Sequence, residues 1–258
     1  MKIFLSENTV DYKSYTFNYA KYCVMESMSE LTDVYEQGFL PYSGDLRINK
    51  EIFYLARSLR VDVERFVDSS ENRRVNRTVE PLGIEVEVIA KADFNLQNAD
   101  FQAFCEKYIN ERIGEDNMST ERLKYILERE AGTHILRFHN AEQDFGYVLG
   151  VMNGDMLHYW FAFFDTEYMR THSLGKWIMW RSIRWAADNG KKHVYLGTAY
   201  KSSALYKIRD HKGLAFFDGK GWNTDVNTLK DWCKSDEETM PSDRFKQLAD
   251  PNKFLENM

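Results

Sequence analysis

Three strand-like runs joined by short turns, followed by one long helix, constrain the fold of this 258-residue chain most. The runs are rich in apolar residues and cover residues 134–139, 145–152 and 157–164. Their connections, residues 140–144 and Asn153-Gly154-Asp155, have the Asn, Asp and Gly content of hairpin turns. Strands joined by turns this short pair antiparallel. The segment therefore predicts three antiparallel strands in one sheet.

The neighbouring segments complete a definite order of elements. Alternating apolar and charged residues predict a half-buried strand over residues 84–90. The remaining predicted elements are helices over 101–113 and 120–130, a long helix over 174–189 ended by Gly190, a strand over 193–197, a short helix over 203–209 and a strand over 214–217. This is the element order of the GNAT acyltransferase fold. We therefore expect an α/β (α+β) fold, with a GNAT-like mixed, mostly antiparallel sheet flanked by helices.

We expect three regions along the chain. Residues 1–80 are aromatic-rich and predict an N-terminal extension or small subdomain, with a helix over 24–36 and a helix followed by a strand over 51–66. A soft boundary near Pro81 precedes the GNAT-like domain, residues 81–230. The acidic residues 231–258 predict a surface helix and a tail.

Composition and charge exclude several classes of protein. The net charge of −6 argues against a generally basic nucleic-acid coat. No apolar run reaches the ~20 residues of a membrane span, and the first residues lack the pattern of a signal peptide. We therefore expect a cytoplasmic protein without a membrane partner. The three cysteines are far apart and the histidines are scattered, so we expect no metal site and no disulfide framework.

The segment from Arg170 to Gly175 is the strongest candidate for ligand binding. We expect a strand to run into this loop, and the loop to lead directly into the long helix. A helix N-terminus presents unpaired backbone N–H groups that hold a phosphate where small residues allow its approach. The pattern resembles the GNAT pyrophosphate loop, Arg/Gln-x-x-Gly-x-Gly/Ala, with Ser173 at the middle glycine. The alternative is an ordinary strand–helix connection, with Ser173 as N-cap and Gly175 in close packing.

Positive charge is concentrated around this loop. Between Tyr168 and Gly213 the chain has ten lysine or arginine residues and two acidic ones, so this stretch carries +8 and the remainder −14. A basic segment in an acidic protein indicates a local anion site, although part of it is a solvated helix face. The sequence therefore allows one focused anion-binding site in a protein that is acidic elsewhere.

Two further motifs follow the long helix. Val194-Tyr195-Leu196-Gly197 predicts a short strand, as in acyltransferases of this fold. The segment Ser203-Ala204-Leu205-Tyr206-Lys207 resembles the Asn-x-x-Ala-x-x-Leu-Tyr helix of acetyl-CoA enzymes, in which the tyrosine protonates the departing thiolate. Tyr206 falls at that position. The alternative is an aromatic ring that packs inward and leaves its hydroxyl exposed.

Taken together, the motifs resemble the aminoacyl-tRNA–protein transferases, which are the eukaryotic arginyltransferases and the bacterial aspartate/glutamate leucyltransferases. The family carries Asp-Pro, Ser-Leu-Gly, a long helix, Tyr-x-Gly and Lys-Met-x-Tyr-Lys. The matching residues here are Asp165-Thr166, Ser173-Leu174-Gly175, Tyr195-Leu196-Gly197 and residues 203–207. Upstream, Gly38-Phe39 with Ser43-Gly44, and residues 60–66 with Ser69, Arg73 and Arg74, resemble its Gly-Phe-Arg-Arg-Ser-Gly and Val-x-x-Phe-x-Pro-Ser-x-Ser-x-Arg-Arg motifs.

The resemblance implies that an amino acid moves from an aminoacyl-tRNA to an amine acceptor, such as a protein N-terminus, by direct aminolysis of the ester. The aminoacyl-tRNA is then a co-substrate, and no other cofactor is expected. The residues implied in donor binding are Arg170, Ser173, Gly175, Lys176 and Tyr195. The family's N-terminal cysteine cluster, which is associated with acceptor recognition, is absent here, so the acceptor protein or peptide stays open.

The resemblance also implies two catalytic residues and one pair of binding residues. Asp165 is expected to steer or deprotonate the amine, and its alternative is a capping aspartate. Tyr206 is expected at the acyl site beside Tyr195. Arg73 and Arg74 are expected to bind acceptor carboxylates or the tRNA backbone, and their alternative is an ordinary exposed surface.

Two other functions are compatible with the sequence. A CoA-dependent N-acyltransferase would use the same loop for pyrophosphate, with acetyl-CoA as donor and Tyr206 as general acid. A non-catalytic module would use the basic segment to hold RNA or another anionic partner, and its binding would depend strongly on salt.

Overall fold

The computed structural model describes residues 1–12, 16–114, 116 and 118–236, which form two sheets and eight α-helices. The small sheet contains β1 (Lys2–Asp11), β2 (Thr16–Val24), β3 (Phe39–Pro41) and β4 (Ile52–Leu55). The large sheet contains β5 (Ser58–Asp62), β6 (Glu85–Ala90), β7 (His134–His139), β8 (Asp144–Asn153), β9 (Met156–Phe164), β10 (His193–Thr198), β11 (Leu214–Phe217) and β12 (Trp222–Asn223). The helices are α1 (Leu31–Glu36), α2 (Ser70–Val79), α3 (Ala99–Tyr108), α4 (Thr120–Glu128), α5 (Thr166–His172), α6 (Leu174–Asp188), α7 (Leu205–Asp210) and α8 (Val226–Ser235).

The large sheet confirms the predicted fold class. Its strand order is β12-β11-β5-β10-β9-β8-β7-β6, and β9–β10 is its one parallel pair among the described strands. Helices flank it, as in the predicted GNAT-like arrangement. Each of the six strands predicted between residues 84 and 217 forms within one residue of its expected bounds, because alternation and hairpin turns are local signals.

The N-terminal region differs from its prediction. β2 continues to Val24, so the helix expected over residues 24–36 is reduced to α1 and a preceding 3-10 turn. Gly38 ends this segment at φ +82°, and a Cβ there would lie 2.3 Å from the ring of Phe217. Residues 51–66 form β4 and β5 instead of a helix and a strand, since their apolar and aromatic side chains pack in sheets.

The strand β5 links the N-terminal region to the large sheet. It belongs to residues 1–80 in sequence, yet it lies between β11 and β10. The division into residues 1–80 and 81–230 stays a prediction. Residues 237–258, most of the expected acidic tail, lie outside the described residues.

The two faces of the large sheet are covered by different elements. Val194 and Leu196 of β10 pack with α6 in one apolar core, whereas Tyr195 packs on the opposite face with α1. Alternate residues of a strand point to opposite faces, so one short strand serves both cores. In α6, Leu174 and Ile183 are fully buried, and each such side chain contributes about 1.5–3 kcal/mol to folding.

The parallel pair β9–β10 stops early. Residues 193–195 pair with residues 156–158, and the last pair is Tyr195 with His158. Both strands continue past this point, β9 to Phe164 and β10 to Thr198. We call the region where the two strands part, which includes this last pair and the first residues beyond it, the apex.

Candidate active site

A cleft of about 770 Å³ opens beyond the apex. Residues 158–162 of β9 and residues 196–198 of β10 form its two walls. At one end it reaches α6 and α7, and at the other it reaches the N-terminal residues 40–44. Parting strands expose backbone groups and side chains from the middle of a sheet, which makes this cleft the strongest candidate for the active site.

Lys207 lies in the wall of the cleft at the apex. Its Nζ donates hydrogen bonds to the carbonyl oxygens of Leu196, at 2.8 Å, and Thr198, at 3.1 Å. Burial lowers the pKa of Lys207 from 10.5 to about 8. A neutral amine can satisfy both carbonyls with its two hydrogens and keep its lone pair for a proton. Lys207 is therefore equipped to accept a proton near neutral pH.

Tyr206 precedes Lys207 on α7 and lines the same cleft. Its side chain is 39% exposed, and desolvation raises the pKa of its hydroxyl. The hydroxyl therefore stays protonated at neutral pH and can donate a proton or a hydrogen bond. Tyr206 lies where the sequence motif predicts a residue of the acyl site, although its catalytic role stays a prediction.

His158, at the apex, was not predicted from sequence as a site residue. It is 1% exposed, and burial lowers its pKa to about 3, so its ring is neutral. Its Nδ1 lies 2.8 Å from the hydroxyl of Tyr35 on α1. Its Nε2 has no hydrogen-bond partner among the described residues. A buried polar atom without a partner costs about 1–3 kcal/mol.

The loop before the long helix departs from its prediction. β9 does not run directly into α6, because residues 166–172 form the separate helix α5. Asp165 is its N-cap: Oδ1 accepts hydrogen bonds from the backbone N–H groups of Glu167 and Tyr168, both at 2.9 Å. Asp165 is thus a capping residue and does not line the cleft. Arg170 is exposed on α5, also outside the cleft lining.

Ser173 and Gly175 have structural roles at the α5–α6 junction. Ser173 has φ +56° and joins the two helices, but its side chain makes no capping hydrogen bond. A Cβ at Gly175 would lie 2.5 Å from the ring of Phe164, so the missing side chain allows α6 to pack against β9. Gly175 also lines the cleft, whereas Ser173 does not.

Lys176 is engaged in ion pairs. Its Nζ lies 3.1 Å from Oε1 of Glu71 and 3.4 Å from Oδ2 of Asp210. Asp210 is 3% exposed and also pairs with Arg209 at 2.7 Å. Lys176 lines the cleft, where it shares two carboxylates with Arg74 and Arg209.

Tyr195 lies in the apolar core and is not part of the cleft lining. It is 1% exposed, and its hydroxyl donates to Oε1 of Glu36 at 3.2 Å. Arg60 and His193 hold the same carboxylate and, with His193 as the largest cause, lower the pKa of Glu36 to about 2. Tyr195 misses the cleft because its strand position points it toward α1.

Arg73 and Arg74 lie on the exposed face of α2, outside the cleft. Arg73 donates to the carbonyl of Asp68 at 2.7 Å, and Arg74 forms a two-pronged pair with Glu71 at 2.8 and 2.9 Å. Of the predicted site residues, the structure therefore brings together Gly175, Lys176 and Tyr206.

The far end of the cleft contains residues that sequence reasoning missed. Tyr42, Tyr54, Arg112 and Arg122 line it. They come from β4, the loop after β3, α4 and the turn that follows α3, and no local pattern connects these segments. His158 had a detectable signal, because it is the one histidine in the otherwise apolar and aromatic run from Leu157 to Phe164.

Two classes of site are absent from the described part of the chain. It contains no group of three or more His, Cys, Asp or Glu residues that could hold a metal ion. None of its helices has the length and apolar character needed to cross a membrane.

The mostly antiparallel sheet, with its one parallel pair parting around a cleft, defines a GNAT-type acyltransferase fold. The chain belongs to the family described as Acetyltransferase (GNAT) domain, which matches residues 71–207. No curated protein matches its sequence. Membership in the aminoacyl-tRNA–protein transferases stays a prediction.

Several solved structures are similar at low identity. L-PGS from Bacillus licheniformis is 11% identical, with 84% of this chain and 71% of that chain covered and a TM-score of 0.47. FemX is 9% identical, with 75% and 68% covered and a TM-score of 0.46. A conserved protein of unknown function from Bacteroides thetaiotaomicron is 10% identical, with 80% and 71% covered and a TM-score of 0.45.

Proposed function

We propose that this protein transfers an amino acid from an aminoacyl-tRNA to an amine of a protein or peptide, by direct aminolysis of the ester. The observation that carries the proposal is the position of Lys207. A lysine whose pKa is lowered to about 8 lies where β9 and β10 part, and Tyr206 lines the same cleft. This arrangement supplies a proton acceptor and a proton donor to one cleft.

The reaction needs only these two proton transfers. The acceptor nitrogen attacks the ester carbonyl carbon and forms the new C–N bond, while the bond from that carbon to the ribose oxygen breaks. Lys207 takes the proton that leaves the amine, and Tyr206 gives a proton to the departing ribose oxygen. The ester is already activated, so no ATP, metal or covalent enzyme intermediate is required.

Lys207 replaces Asp165 as the proposed base. Asp165 uses Oδ1 to cap α5 and lies outside the cleft lining, whereas Lys207 lines the cleft. We retain Arg170 and Lys176 as contacts for the tRNA phosphates at the rim, and Arg73 and Arg74 as contacts for the tRNA backbone or the acceptor. These roles suit exposed or rim cations better than the reacting centre.

The motif resemblance to aminoacyl-tRNA–protein transferases supports a tRNA donor.

A CoA-dependent N-acyltransferase is the second candidate. The family description, Acetyltransferase (GNAT) domain, favours it. The same cleft would then hold the acyl thioester, and Tyr206 would protonate the thiolate. Lys207 would keep its role as base.

One assay separates the candidates. The purified protein is incubated with peptides of varied N-termini and either a pool of tRNA charged with labelled amino acids or labelled acetyl-CoA. Label in peptide from the tRNA pool is the expected result. Label from acetyl-CoA alone would replace the tRNA proposal with the second candidate. Salt-dependent tRNA binding without transfer to any peptide would indicate a non-catalytic module and would refute both.

A further inference from the structure

His158 occupies the point from which the two walls of the cleft diverge. It pairs in register with Tyr195 as the last residue of β9 joined to β10, and it lines the cleft. Its ring is stacked near Trp160, with centroids 6.4 Å apart, and lies against Tyr35 on the side of α1. An ionisable side chain at this position is close to any acyl group that enters between the strands.

The hydrogen bond to Tyr35 assigns the proton on the ring. Tyr35 is fully buried, and Nδ1 of His158 is the hydrogen-bond partner of its hydroxyl within the described residues. If Nδ1 carried the proton, the buried O–H of Tyr35 would have no acceptor. The arrangement that satisfies both groups has Tyr35 donating to Nδ1, which leaves the proton of the neutral ring on Nε2.

The Nε2–H group is then a donor without an acceptor. Nε2 has no partner among the described residues, although buried donors are nearly always paired. The ring is 1% exposed, so bulk water does not compensate for the missing partner. An acceptor atom brought by a ligand would complete the set of hydrogen bonds.

We propose that His158, as a neutral imidazole, donates its Nε2–H to the carbonyl oxygen of the acyl group as that oxygen becomes an oxyanion. Tyr35 is the positioning residue that keeps the proton on Nε2. A preorganised donor aimed at a developing oxyanion is a strong source of rate acceleration in a site that excludes water. A neutral histidine is suited to this role, since it gains no charge and needs no reorganisation.

The two apex groups have complementary chemistry. His158 cannot take a proton on Nε2 while that atom carries one, so it is not the base. Lys207, held on the carbonyls of Leu196 and Thr198, is the group that can accept a proton once its amine is neutral. The amine proton therefore goes to Lys207, and the negative charge on the carbonyl oxygen is met by His158. This assignment rests on the proposed acyl transfer, but not on which donor supplies the acyl group.

The first test determines the tautomer of the His158 ring and does not depend on enzyme activity. Nitrogen-15 NMR of the full-length protein, with His158 assigned by comparison with His158→Gln, is recorded between pH 6 and 8. A neutral ring protonated on Nε2 is expected, and Tyr35→Phe is expected to shift population toward the Nδ1–H form. A ring protonated on Nδ1, or a cationic ring in this pH range, would overturn the proposal.

The second test uses whichever donor supports transfer. His158→Leu should lower kcat by ~10²–10³-fold with little change in KM, because one oxyanion donor is lost. His158→Gln, which keeps an N–H donor, should recover part of this loss, and Tyr35→Phe should lose less than His158→Leu. His139→Gln on β7 is the control histidine, and thermal unfolding confirms that each variant folds.

The results of these tests distinguish failure of the His158 proposal from failure of the proposed function. If wild type uses acetyl-CoA only, the tRNA proposal fails and the same variants are measured with acetyl-CoA. If His158→Leu folds and keeps its kcat, or loses only affinity, the oxyanion role is refuted while acyl transfer stands. If wild type transfers nothing from either donor, both proposals are refuted.

Discussion

The segment from Asp165 to Lys176 contains α5 and the start of α6, and we call it the loop because the sequence predicted one there. Its polar groups are paired differently from those at the apex of the cleft. In the loop, Asp165 caps α5 and Lys176 is paired with Glu71 and Asp210. At the apex, Nε2 of His158 has no partner in the described part of the chain, and burial lowers the pKa of Lys207 to about 8. The loop contains the recognisable sequence motif. The apex contains a buried nitrogen without a hydrogen-bond partner among the described residues and a lysine with a lowered pKa.

Charged and polar residues in a motif can either stabilise the fold or take part in catalysis, and their partners distinguish the two cases. Paired and capping groups stabilise the fold, and their usual protonation states are favoured by their partners. Groups with displaced pKa values or missing partners gain most from a ligand or a reaction, so they are better candidates for catalysis. Under the proposed function, the chemistry takes place at the apex and the loop serves packing and rim contacts.

The largest expected effect comes from Lys207→Arg. Arginine keeps a cation and hydrogen-bond donors but does not lose its proton at any working pH. We expect the single-turnover transfer rate to fall by ~10²–10⁴-fold, the range for losing a general base. Lys192→Arg, at an exposed ion pair with Asp155, is the control. A fall of less than tenfold would show that Lys207 acts only as a cation.

A second expected effect is loss of stability in acid. Burial lowers the pKa of His158 to about 3 and that of His211 to about 4, both from 6.5. The unfolded chain therefore binds more protons, so this stabilisation is complete above pH 6.5 and is lost as the pH falls toward 4. Urea unfolding at pH 7 and pH 5 should differ by about 2 kcal/mol for each histidine.

His158→Gln tests the source of that acid sensitivity. The variant should show a smaller difference in unfolding free energy between pH 7 and pH 5 than wild type, because one of the two buried neutral rings is gone. His139→Gln should keep the wild-type difference. An unchanged difference in His158→Gln would mean that this ring is not held neutral by burial.

A third prediction concerns Gly175→Ala in the loop. The added methyl group would lie 2.5 Å from the ring of Phe164, and overpacking of this kind costs about 1–3 kcal/mol. We expect a lower free energy of unfolding and unchanged donor affinity. Gly221→Ala is the matched control, since nothing lies within 4 Å of its added Cβ. A variant that loses donor affinity but not stability would restore Gly175 as a phosphate-binding residue.

The smallest expected effect is that of Asp165→Asn. Asparagine caps helices about as well as aspartate, so the melting temperature should change little. Because the structure gives Asp165 a capping role, we expect the transfer rate to stay within about twofold, the effect of a cap without chemistry. A rate loss above tenfold in the folded variant would return Asp165 to the role of base.

Local sequence patterns predicted most strands of the large sheet. They could not predict features that depend on long-range contacts. The hairpin turn at Asn153-Gly154-Asp155 and the alternation in β6 are readable from neighbouring residues, so the strands were placed closely. The insertion of β5 between β11 and β10 depends on contacts more than 100 residues apart, which no local pattern encodes.

In the candidate site, too, residues marked by local motifs were predicted and those defined by long-range contacts were not. Tyr206 and Gly175 were found because motifs mark them, and both line the cleft. The partners of Lys176, Glu71 and Asp210, come from other helices, so its ion pairs could not be predicted from the sequence. The burial and hydrogen-bond partners of His158 and Lys207 depend on where β9 and β10 part, so they are properties of the fold.

A comparison of Lys207→Met with Lys176→Met tests the central claim most directly. Both replace a cleft-lining lysine with an apolar side chain of similar length, one at the apex and one in the loop. The measurement is the single-turnover rate of transfer to peptide at saturating donor, with thermal unfolding as the folding control. We predict a loss of ~100-fold or more for Lys207→Met and of a few-fold at most for Lys176→Met. Equal losses, or a larger loss for Lys176→Met, would contradict the placement of the chemistry at the apex.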